Sequence, residues 1–245
     1  MTDTRRSALV TGASRGIGKA IATLLLERGY AVACGYRAEQ RKAAQIAEAH
    51  PAAFPVQIDI RERASVQGAL AAIAKRFGRP IDILINNAAI ADEKPFETIT
   101  DADWDRMLET NLRGPFIAAQ EALPPMIEKR WGRVVNIVSI GGQWGGMRQV
   151  HYAASKAGLI NLTQSLARLY SAQGITSNAV SPGLVQTDMA RNELQSEAGR
   201  AKLAQIPLGR IAAPREIAAA VAFLCSEEAG YITGQTVNVN GGMLF

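Results

Sequence analysis

The stretch SALVTGASRGIGKAIATLLLERG, residues 7–29, decides the class of fold. It begins with a short apolar run, passes through a turn with three glycines, and continues into a segment with apolar residues at helical spacing. A strand, a glycine-rich turn and a helix in this order form the first half of a β-α-β unit, and the N-terminus of such a helix can bind a pyrophosphate group. The stretch therefore predicts a Rossmann-type fold that binds a dinucleotide.

The three glycines of this turn have separate expected roles. Gly12 permits the tight turn, Gly16 allows close approach to the backbone, and Gly18 lets the helix pack on the strand. The spacing G-x-x-x-G-x-G differs from the commoner G-x-G-x-x-G fingerprint. The interpretation therefore depends on the position of the turn, between the first strand and the first helix of an alternating chain.

The rest of the chain continues the alternation of strands and helices, without a linker, an internal repeat or a low-complexity tract. The predicted strands are residues 7–11, 31–35, 54–58, 81–85, 133–138, 175–180 and 235–239. This pattern predicts one α/β domain over residues 1–245, a doubly wound parallel sheet of about seven strands with helices on both faces. A helix beginning near Thr100 is expected to be interrupted at residues 111–115, and residues 187–207 are expected to form a substrate lid.

Composition bounds the class of protein. Apolar residues make up 48% of the 245 and charged residues 20%, which is typical of a soluble globular protein. No membrane span or apolar signal core is visible, so a cytoplasmic location is expected. Cys34 and Cys225 are interpreted as buried thiols, and no metal-ligand spacing occurs. The net charge of +5 is scattered, which suits an anionic ligand or partner but gives no arginine-rich stripe for nucleic acid.

A possible catalytic group follows the fifth strand. Tyr152 and Lys156 are four residues apart on a predicted helix, so both side chains emerge on one face, and Ser139 follows a buried strand. A nearby ammonium favours the phenolate and is expected to lower the phenol pKa, which makes Tyr152 a proton donor or acceptor near pH 7. The Ser139 hydroxyl can hold a carbonyl oxygen beside it. The alternative is an aromatic residue at a helix start and a solvated lysine.

The ends of the second, third and fourth strands suggest how a coenzyme is selected. No carboxylate appears after the second strand until Glu39, so Arg37, together with Arg15, offers cations to a ribose 2′-phosphate. The alternative is two solvated surface arginines. Asp59 is positioned to flank an adenine, and small residues after the fourth strand leave room for the coenzyme.

These motifs together resemble the short-chain dehydrogenase/reductase family over the whole chain. Residues 11–18 are similar to its coenzyme loop, residues 86–88 to its strand-four motif, and Pro182, Gly183 and Thr187 to its nicotinamide-side loop. Asn111, Ser139, Tyr152 and Lys156 match its catalytic tetrad. Residues 231–236 and 239–243 resemble the C-terminus of the bacterial 3-oxoacyl-acyl carrier protein reductases within that family.

The resemblance implies an NADP(H)-dependent reduction of a carbonyl group. Tyr152 would give its proton to the oxygen that Ser139 orients, while Lys156 holds the nicotinamide ribose and Asn111 positions a water in a proton relay. The residues expected to contact the coenzyme are Gly12, Ser14, Arg15, Gly16, Ile17, Gly18, Arg37, Asp59, Ile60, Asn86, Ala88, Tyr152, Lys156, Pro182, Gly183, Val185 and Thr187. A homotetramer is also expected, with the apolar residues 243–245 buried near a subunit contact.

Three hypotheses for the function stay open at this point. The first is reduction of 3-oxoacyl thioesters on acyl carrier protein, and the second is the same chemistry on a sugar, cyclic ketone or diketone. The third is a coenzyme-binding regulator without turnover. Ala89, Trp144 and Gln173 depart from the family pattern, and the last two favour the second hypothesis.

Three further side chains have expected roles near the active site. Lys129 and Arg130 match a basic position of the carrier-protein reductases and are candidates for docking an acidic carrier protein beside the active-site mouth. The alternative is that they only complement a helix C-terminus. His151 is interpreted as a pocket-wall residue rather than as an additional acid.

Overall fold

The sheet contains seven parallel strands, as the alternation of segments predicts. A computed structural model describes residues 5–186 and 203–245, so Thr187 and most of the expected lid lie outside the described residues. The strands are β1 (Ser7–Val10), β2 (Ala31–Tyr36), β3 (Ala53–Gln57), β4 (Ile83–Asn86), β5 (Gly132–Ile137), β6 (Ile175–Pro182) and β7 (Thr236–Val239). Their order in the sheet is β3-β2-β1-β4-β5-β6-β7. The predicted boundaries are wrong by at most two residues at either end.

Helices cover both faces of this sheet. They are α1 (Gly16–Glu27), α2 (Gln40–Ala49), α3 (Arg63–Phe77), α4 (Asp101–Leu108), α5 (Gly114–Lys129), α6 (Gly141–Trp144), α7 (Val150–Tyr170) and, within the described part, α8 (Pro214–Leu224). The first core contains the apolar faces of α1, α2 and α8. The second contains those of α3 and α5, and α7 extends the same layer. No helix in residues 5–186 or 203–245 is long and apolar enough to cross a membrane.

Alternation along the strands separates the two cores. Val10 and Ile85 face the α1 and α8 side, whereas Leu9 and Leu84, one residue earlier, face the α3 and α5 side. All four side chains are fully buried. Because a parallel sheet is covered on both faces, its strands are continuous apolar runs, and this explains why composition alone locates them.

The order of the strands also places a ligand crevice. The chain runs outward from β1 to β3 and then returns to add β4 on the other side of β1. Ligands of open α/β sheets bind at such a switch point, outside the carboxyl ends of the strands. The glycine turn after β1 and the segments after β2, β3 and β4 therefore converge on one edge of the sheet.

The interruption expected at residues 111–115 takes the form of a widened turn rather than a break. A π-helical turn over Glu109–Arg113 joins α4 directly to α5. Pro115 lies in the first turn of α5, where its fixed φ suits the helix. The proline therefore begins a helix instead of ending one, and the π-helical turn re-aims Asn111 toward the core.

Candidate active site

The glycine turn has the geometry that the sequence predicts. Gly12 and Gly16 have φ values of +67° and +54°, which a residue with a side chain rarely adopts. A Cβ on Gly18 would lie only 2.2 Å from the Gly12 carbonyl oxygen, so α1 packs against the turn at a distance that only glycine permits. The turn therefore holds the N-terminus of α1 close to the edge of the sheet.

Hydrogen bonds fix this turn to the end of β4. The Asn87 amide nitrogen Nδ2 donates to the carbonyl oxygens of Thr11 (2.9 Å) and Gly12 (3.1 Å). The Thr11 hydroxyl accepts from the backbone N–H groups of Asn87 and Ala88, both at 3.0 Å. Asn87 therefore ties the ends of β1 and β4 together. These bonds hold one wall of the crevice in place without a ligand.

A cavity of about 500 Å³ follows the crevice along the carboxyl ends of β1 to β4. The predicted coenzyme residues that line it are Gly12, Ser14, Arg15, Gly16, Ile17, Gly18, Arg37, Asp59, Ile60, Ala88 and Tyr152. Sequence reasoning did not select Ala38, Glu39, Ile58, Arg61, Asn87, Ala89, Ile90, Ala91 and Thr110, which also line it. Most of these residues are next in sequence to a predicted coenzyme residue, so their position at the strand ends could have identified them.

Besides Lys156, four predicted coenzyme residues in the described part of the chain do not line this cavity. Asn86 is buried, and its amide donates to Asn136 Oδ1 at 2.8 Å, so its side chain joins β4 to β5. Pro182 ends β6, Gly183 donates to the Val239 carbonyl oxygen at 3.1 Å, and Val185 forms an isolated bridge with Ala212. Contact between these four residues and a coenzyme stays a prediction.

The catalytic candidates meet at the carboxyl end of β5. Ser139 follows this strand, and its hydroxyl forms a hydrogen bond with Tyr152 and accepts one from the Gly141 N–H at 3.1 Å. Lys156 Nζ lies 5.7 Å from the centre of the Tyr152 ring and donates to the Ile137 carbonyl oxygen at 2.8 Å. One face of α7 therefore brings the phenol and the ammonium to Ser139, as their spacing predicts.

The expected direction of the Tyr152 pKa is wrong for this structure. Burial raises the pKa of the phenol above its ordinary value, and the hydrogen bond with Ser139 offsets only part of that rise. The ammonium of Lys156 is itself disfavoured, because burial lowers its pKa to about 8. Tyr152 is therefore a neutral phenol near pH 7, a state suited to donating a proton.

Asn111 lies close to this group but uses its side chain for structure. Its amide oxygen accepts from the Ile90 N–H (2.9 Å), and its Nδ2 donates to the Ile90 carbonyl (2.9 Å) and to Ser155 Oγ (3.2 Å). Both ends of the amide are thus occupied by protein partners. The amide positions the segment after β4, and any water of a relay would need another group of this π-helical turn.

His151 does not form a wall of the cavity. Its side chain is fully buried, and neither ring nitrogen has a hydrogen-bond partner within the described part of the chain. The position next to Tyr152 in sequence led to the wrong expectation, because neighbouring residues on a helix point about 100° apart. The imidazole lies on the inner side of α7 instead.

Lys129 and Arg130 lie at the opposite edge of the sheet from the cavity. They end α5 immediately before β5 begins, whereas Ser139 follows the other end of that strand. Lys129 Nζ contacts Asp82 Oδ1 at 3.1 Å, just before β4, and Arg130 donates to the Ala172 carbonyl at 2.8 Å. The expectation that these cations flank the active-site mouth of their own chain is therefore wrong.

The segment after Ser139 is anchored by a side chain that the sequence did not single out. Gln143 Nε2 donates to Ser181 Oγ at 2.8 Å and to Asn238 Oδ1 at 2.7 Å, which ties α6 to the ends of β6 and β7. The neighbouring Trp144 remains 51% exposed, and Met147 is 96% exposed. Both apolar side chains are thus exposed to solvent on the loop that leads to Tyr152.

Other reactive groups are few within the described residues. Cys34 and Cys225 are free and buried, as predicted, and burial raises the pKa of each thiol to about 12. In residues 5–186 and 203–245 no group of three or more His, Cys, Asp or Glu side chains could hold a metal ion.

Replacing Lys156 with Met should stabilise the coenzyme-free protein at pH 7, because burial disfavours the lysine charge. Between pH 8 and 10.5 the unfolded chain keeps a proton that the folded protein has lost, so wild-type stability rises with pH there. The advantage of Lys156→Met, about 3 kcal/mol at most, should therefore shrink from pH 7 to pH 10 in urea titrations. Lys19→Met, at an exposed position, is the control and should differ from wild type by a constant amount. A constant difference for Lys156→Met would contradict the shifted pKa.

Comparison with known proteins agrees with this geometry. A family model described as enoyl-(acyl carrier protein) reductase matches residues 12–244. The 3-oxoacyl-(acyl-carrier-protein) reductase FabG of Staphylococcus aureus (strain Mu50) is 42% identical over 242 residues, which cover 97% of this chain and 98% of the relative. The FabG proteins of Vibrio cholerae and Salmonella typhimurium are each 44% identical, over 96% of both chains. The chain therefore belongs to the short-chain dehydrogenase/reductase family.

Proposed function

We propose that the chain is an NADPH-dependent reductase of 3-oxoacyl thioesters carried on acyl carrier protein. The observation that carries the proposal is that Tyr152, which lies beside Ser139 and Lys156, lines a cavity of about 500 Å³ that Arg15 and Arg37 also line. Relatives that align with nearly the whole chain carry the name of this activity.

The cavity fits the coenzyme in three respects. The N-terminus of α1 and its glycine turn provide backbone N–H groups for a pyrophosphate. Neither Arg15 nor Arg37 forms an ion pair with a described residue, so their guanidinium groups are available to a 2′-phosphate. Tyr152 lines the same cavity and so brings the candidate acid to it. When bound, NADPH supplies the hydride for the reduction.

The roles of the protein groups follow from their protonation. Tyr152 enters the reaction as a neutral phenol and donates its proton to the substrate oxygen. Ser139 gives a second hydrogen bond to that oxygen, and the two donors together stabilise the developing negative charge. Lys156 binds the ribose hydroxyls and, with a pKa of about 8, can return a proton to Tyr152 near neutral pH.

The names found by comparison differ in the bond that is reduced. The family description refers to an enoyl reductase, which reduces a carbon–carbon double bond, whereas the relatives are named for a 3-oxo group. Ser139 lies within hydrogen-bond reach of Tyr152, so both hydroxyls can contact the same substrate oxygen. Reduction of a 3-oxo group places the negative charge on the oxygen of the carbon that receives the hydride, where two such donors can stabilise it, so the arrangement suits a carbonyl.

A second candidate function is reduction of another small carbonyl, such as a sugar, cyclic ketone or diketone. The exposed Trp144 on the loop after Ser139 favours this candidate, because a bulky indole reshapes the substrate mouth. Gln173 no longer adds support, since it precedes β6 at the edge of the sheet opposite the cavity.

The proposal also covers organisation and location. We infer one domain over residues 1–245, with a lid in residues 187–207 and with Thr187 on the nicotinamide side, in a homotetramer of the cytoplasm. Acyl carrier protein is the proposed partner because the relatives' names contain it. Lys129 and Arg130 lie at the far edge of the sheet, so they do not flank the active-site mouth of their own chain.

The substrate and the coenzyme can be tested together by following coenzyme oxidation. Acetoacetyl thioesters, free and carrier-bound, should be reduced faster than sugars or cyclic ketones. NADPH should be preferred over NADH about ten- to a hundred-fold, since charge-assisted pairing contributes roughly 1.5–3 kcal/mol. Arg37→Gln should remove most of this preference, whereas Arg41→Gln on the exposed side of α2 should leave it intact. Equal efficiency with both coenzymes would refute the coenzyme assignment, and failure with every thioester would refute the substrate.

Tyr152→Phe removes the proton that is to be transferred while it keeps the ring. Turnover should fall by about 10²–10⁴-fold, because general acid catalysis contributes that much. The dissociation constant for NADPH, measured by fluorescence titration, should change little. A variant that kept most of its turnover would show that another group protonates the substrate.

Assembly can be tested at an apolar surface of the single chain. Leu208 and Phe245 are 68% and 102% exposed and line a surface cavity of about 550 Å³ together with Ile206 and Pro207. We expect light scattering to give four times the 26.2 kDa of one chain. Leu208→Lys should lower the assembled fraction, because it places a charge in a contact that must be desolvated, and Glu97→Lys on the exposed turn before α4 should not. A wild-type monomer would end this part of the proposal.

A further inference from the structure

The coenzyme cavity contains two carboxylates at the end where the arginines lie. Both are paired with a cation of the chain: Glu39 with Lys42 at 3.0 Å, and Asp59 with Arg61 at 2.6 Å. Arg15 and Arg37 line the same part of the cavity and have no ion-pair partner among the described residues. The acids are thus neutralised locally, and two positive charges remain available.

Strand register places Asp59 beside Arg37. Tyr36 is paired with Gln57 across β2 and β3, and the Ile58 N–H donates to the Tyr36 carbonyl at 2.8 Å. The two chains therefore leave the sheet at neighbouring points, and Arg37 and Asp59 are among the first residues after each strand. Arg37 is close enough for its charge to lower the pKa of Asp59, so a phosphate held by Arg37 would lie within electrostatic range of that carboxylate.

The pair between Asp59 and Arg61 is fixed in geometry. Arg61 Nε donates to Oδ1 at 3.0 Å and Nη2 donates to Oδ2 at 2.6 Å, which is the two-point arrangement that guanidinium and carboxylate groups favour. The Arg61 N–H also donates to Oδ1 at 3.1 Å, and the Arg61 carbonyl accepts from Arg113 Nη1 at 3.0 Å. The hydrogen bond from Arg61 holds the pKa of Asp59 below its ordinary value, so the carboxylate is charged throughout the neutral range.

We propose that Arg61 is a specificity-determining residue for a coenzyme with a 2′-phosphate, because it cancels the charge of Asp59 next to Arg15 and Arg37. The inference rests on the proposed NADPH dependence and extends it to a residue that sequence reasoning did not select. Arg61 positions and neutralises the carboxylate, while Arg15 and Arg37 bind the phosphate. Without Arg61 the carboxylate would both repel the phosphate and compete for Arg37.

Asp59 remains useful in this arrangement. A carboxylate whose outer lone pairs face the cavity can still accept a hydrogen bond from an adenine amino group, because each oxygen accepts more than one. An unpaired carboxylate would serve the adenine equally well but would disfavour the phosphate. Because Asp59 is paired with Arg61, its carboxylate can bind the adenine without repelling the phosphate.

The test measures binding of two coenzyme fragments rather than turnover. Adenosine 2′,5′-bisphosphate and 5′-AMP differ only in the 2′-phosphate, so the ratio of their dissociation constants isolates that group. Calorimetry at low ionic strength would be carried out on wild type, Arg61→Met, Asp59→Asn and the double variant. Arg61→Met should weaken the bisphosphate about three- to tenfold while 5′-AMP changes less than twofold, and the double variant should restore the wild-type ratio to within about twofold.

Arg63→Met is the matched control. Arg63 also pairs with a carboxylate, Glu121, but that pair joins α3 to α5 outside the cavity, and its loss changes the net charge of the protein equally. The ratio of the two dissociation constants should be the same for Arg63→Met as for wild type. Thermal unfolding of every variant checks that the fold is retained.

Each outcome separates the inference from the function on which it rests. A wild type without preference for the bisphosphate would overturn the coenzyme assignment, and the inference with it. A wild type with the preference, but an Arg61→Met variant with the same ratio, would overturn the inference alone. A double variant that stays as weak as Arg61→Met would show that Arg61 binds the phosphate directly, and this too would overturn neutralisation.

Discussion

A short chain of buried hydrogen bonds sets the position of the catalytic helix on the sheet. Asn86 donates to Asn136 at 2.8 Å, Asn136 donates to Thr163 Oγ1 at 2.8 Å, and Thr163 donates to the Leu159 carbonyl at 2.8 Å. The chain crosses from β4 to β5 and then to α7. A buried polar group without a partner costs about 1–3 kcal/mol, and sliding α7 along β5 would break both the Asn136–Thr163 bond and the bond from Lys156 Nζ to the Ile137 carbonyl. Tyr152 and Lys156 are fixed relative to Ser139 for this reason.

The same helix contains two polar groups that burial disfavours. Lys156 is 3% exposed, and burial lowers the pKa of its ammonium group. His151 is fully buried, and neither ring nitrogen is bonded to a described residue. A fold selected for stability alone would place apolar residues at both positions. The apolar packing of α7 through Leu159 and Ala167 offsets the cost of burying these two polar groups.

Much of the fold follows from sequence because each signal is local. Apolar runs locate the strands, and the conformational needs of Gly12 and Gly16 locate the turn. The raised pKa of Tyr152 could not be predicted from its spacing to Lys156, since burial depends on packing that only the folded chain defines. The partners of Asn111 and the full burial of His151 could not be predicted for the same reason. The location of Lys129, in contrast, was deducible, because a helix that precedes a parallel strand ends at the edge where that strand begins. The expectation that Lys129 lies beside the active-site mouth was based on family resemblance and did not take this topology into account.

The chemical reactivity of the two thiols reports whether the core around them is intact. Cys34 lies within β2 and Cys225 follows α8, and both belong to the core between the sheet and that helix. Burial raises the pKa of each thiol to about 12, so both thiols stay protonated at pH 7 while the core is closed. Alkylating reagents and oxidants therefore react with Cys34 and Cys225 only after the core on the α1, α2 and α8 face of the sheet has opened. Labelling of cysteine then records the opening of that core, while motions confined to the rim of the coenzyme crevice leave no chemical trace.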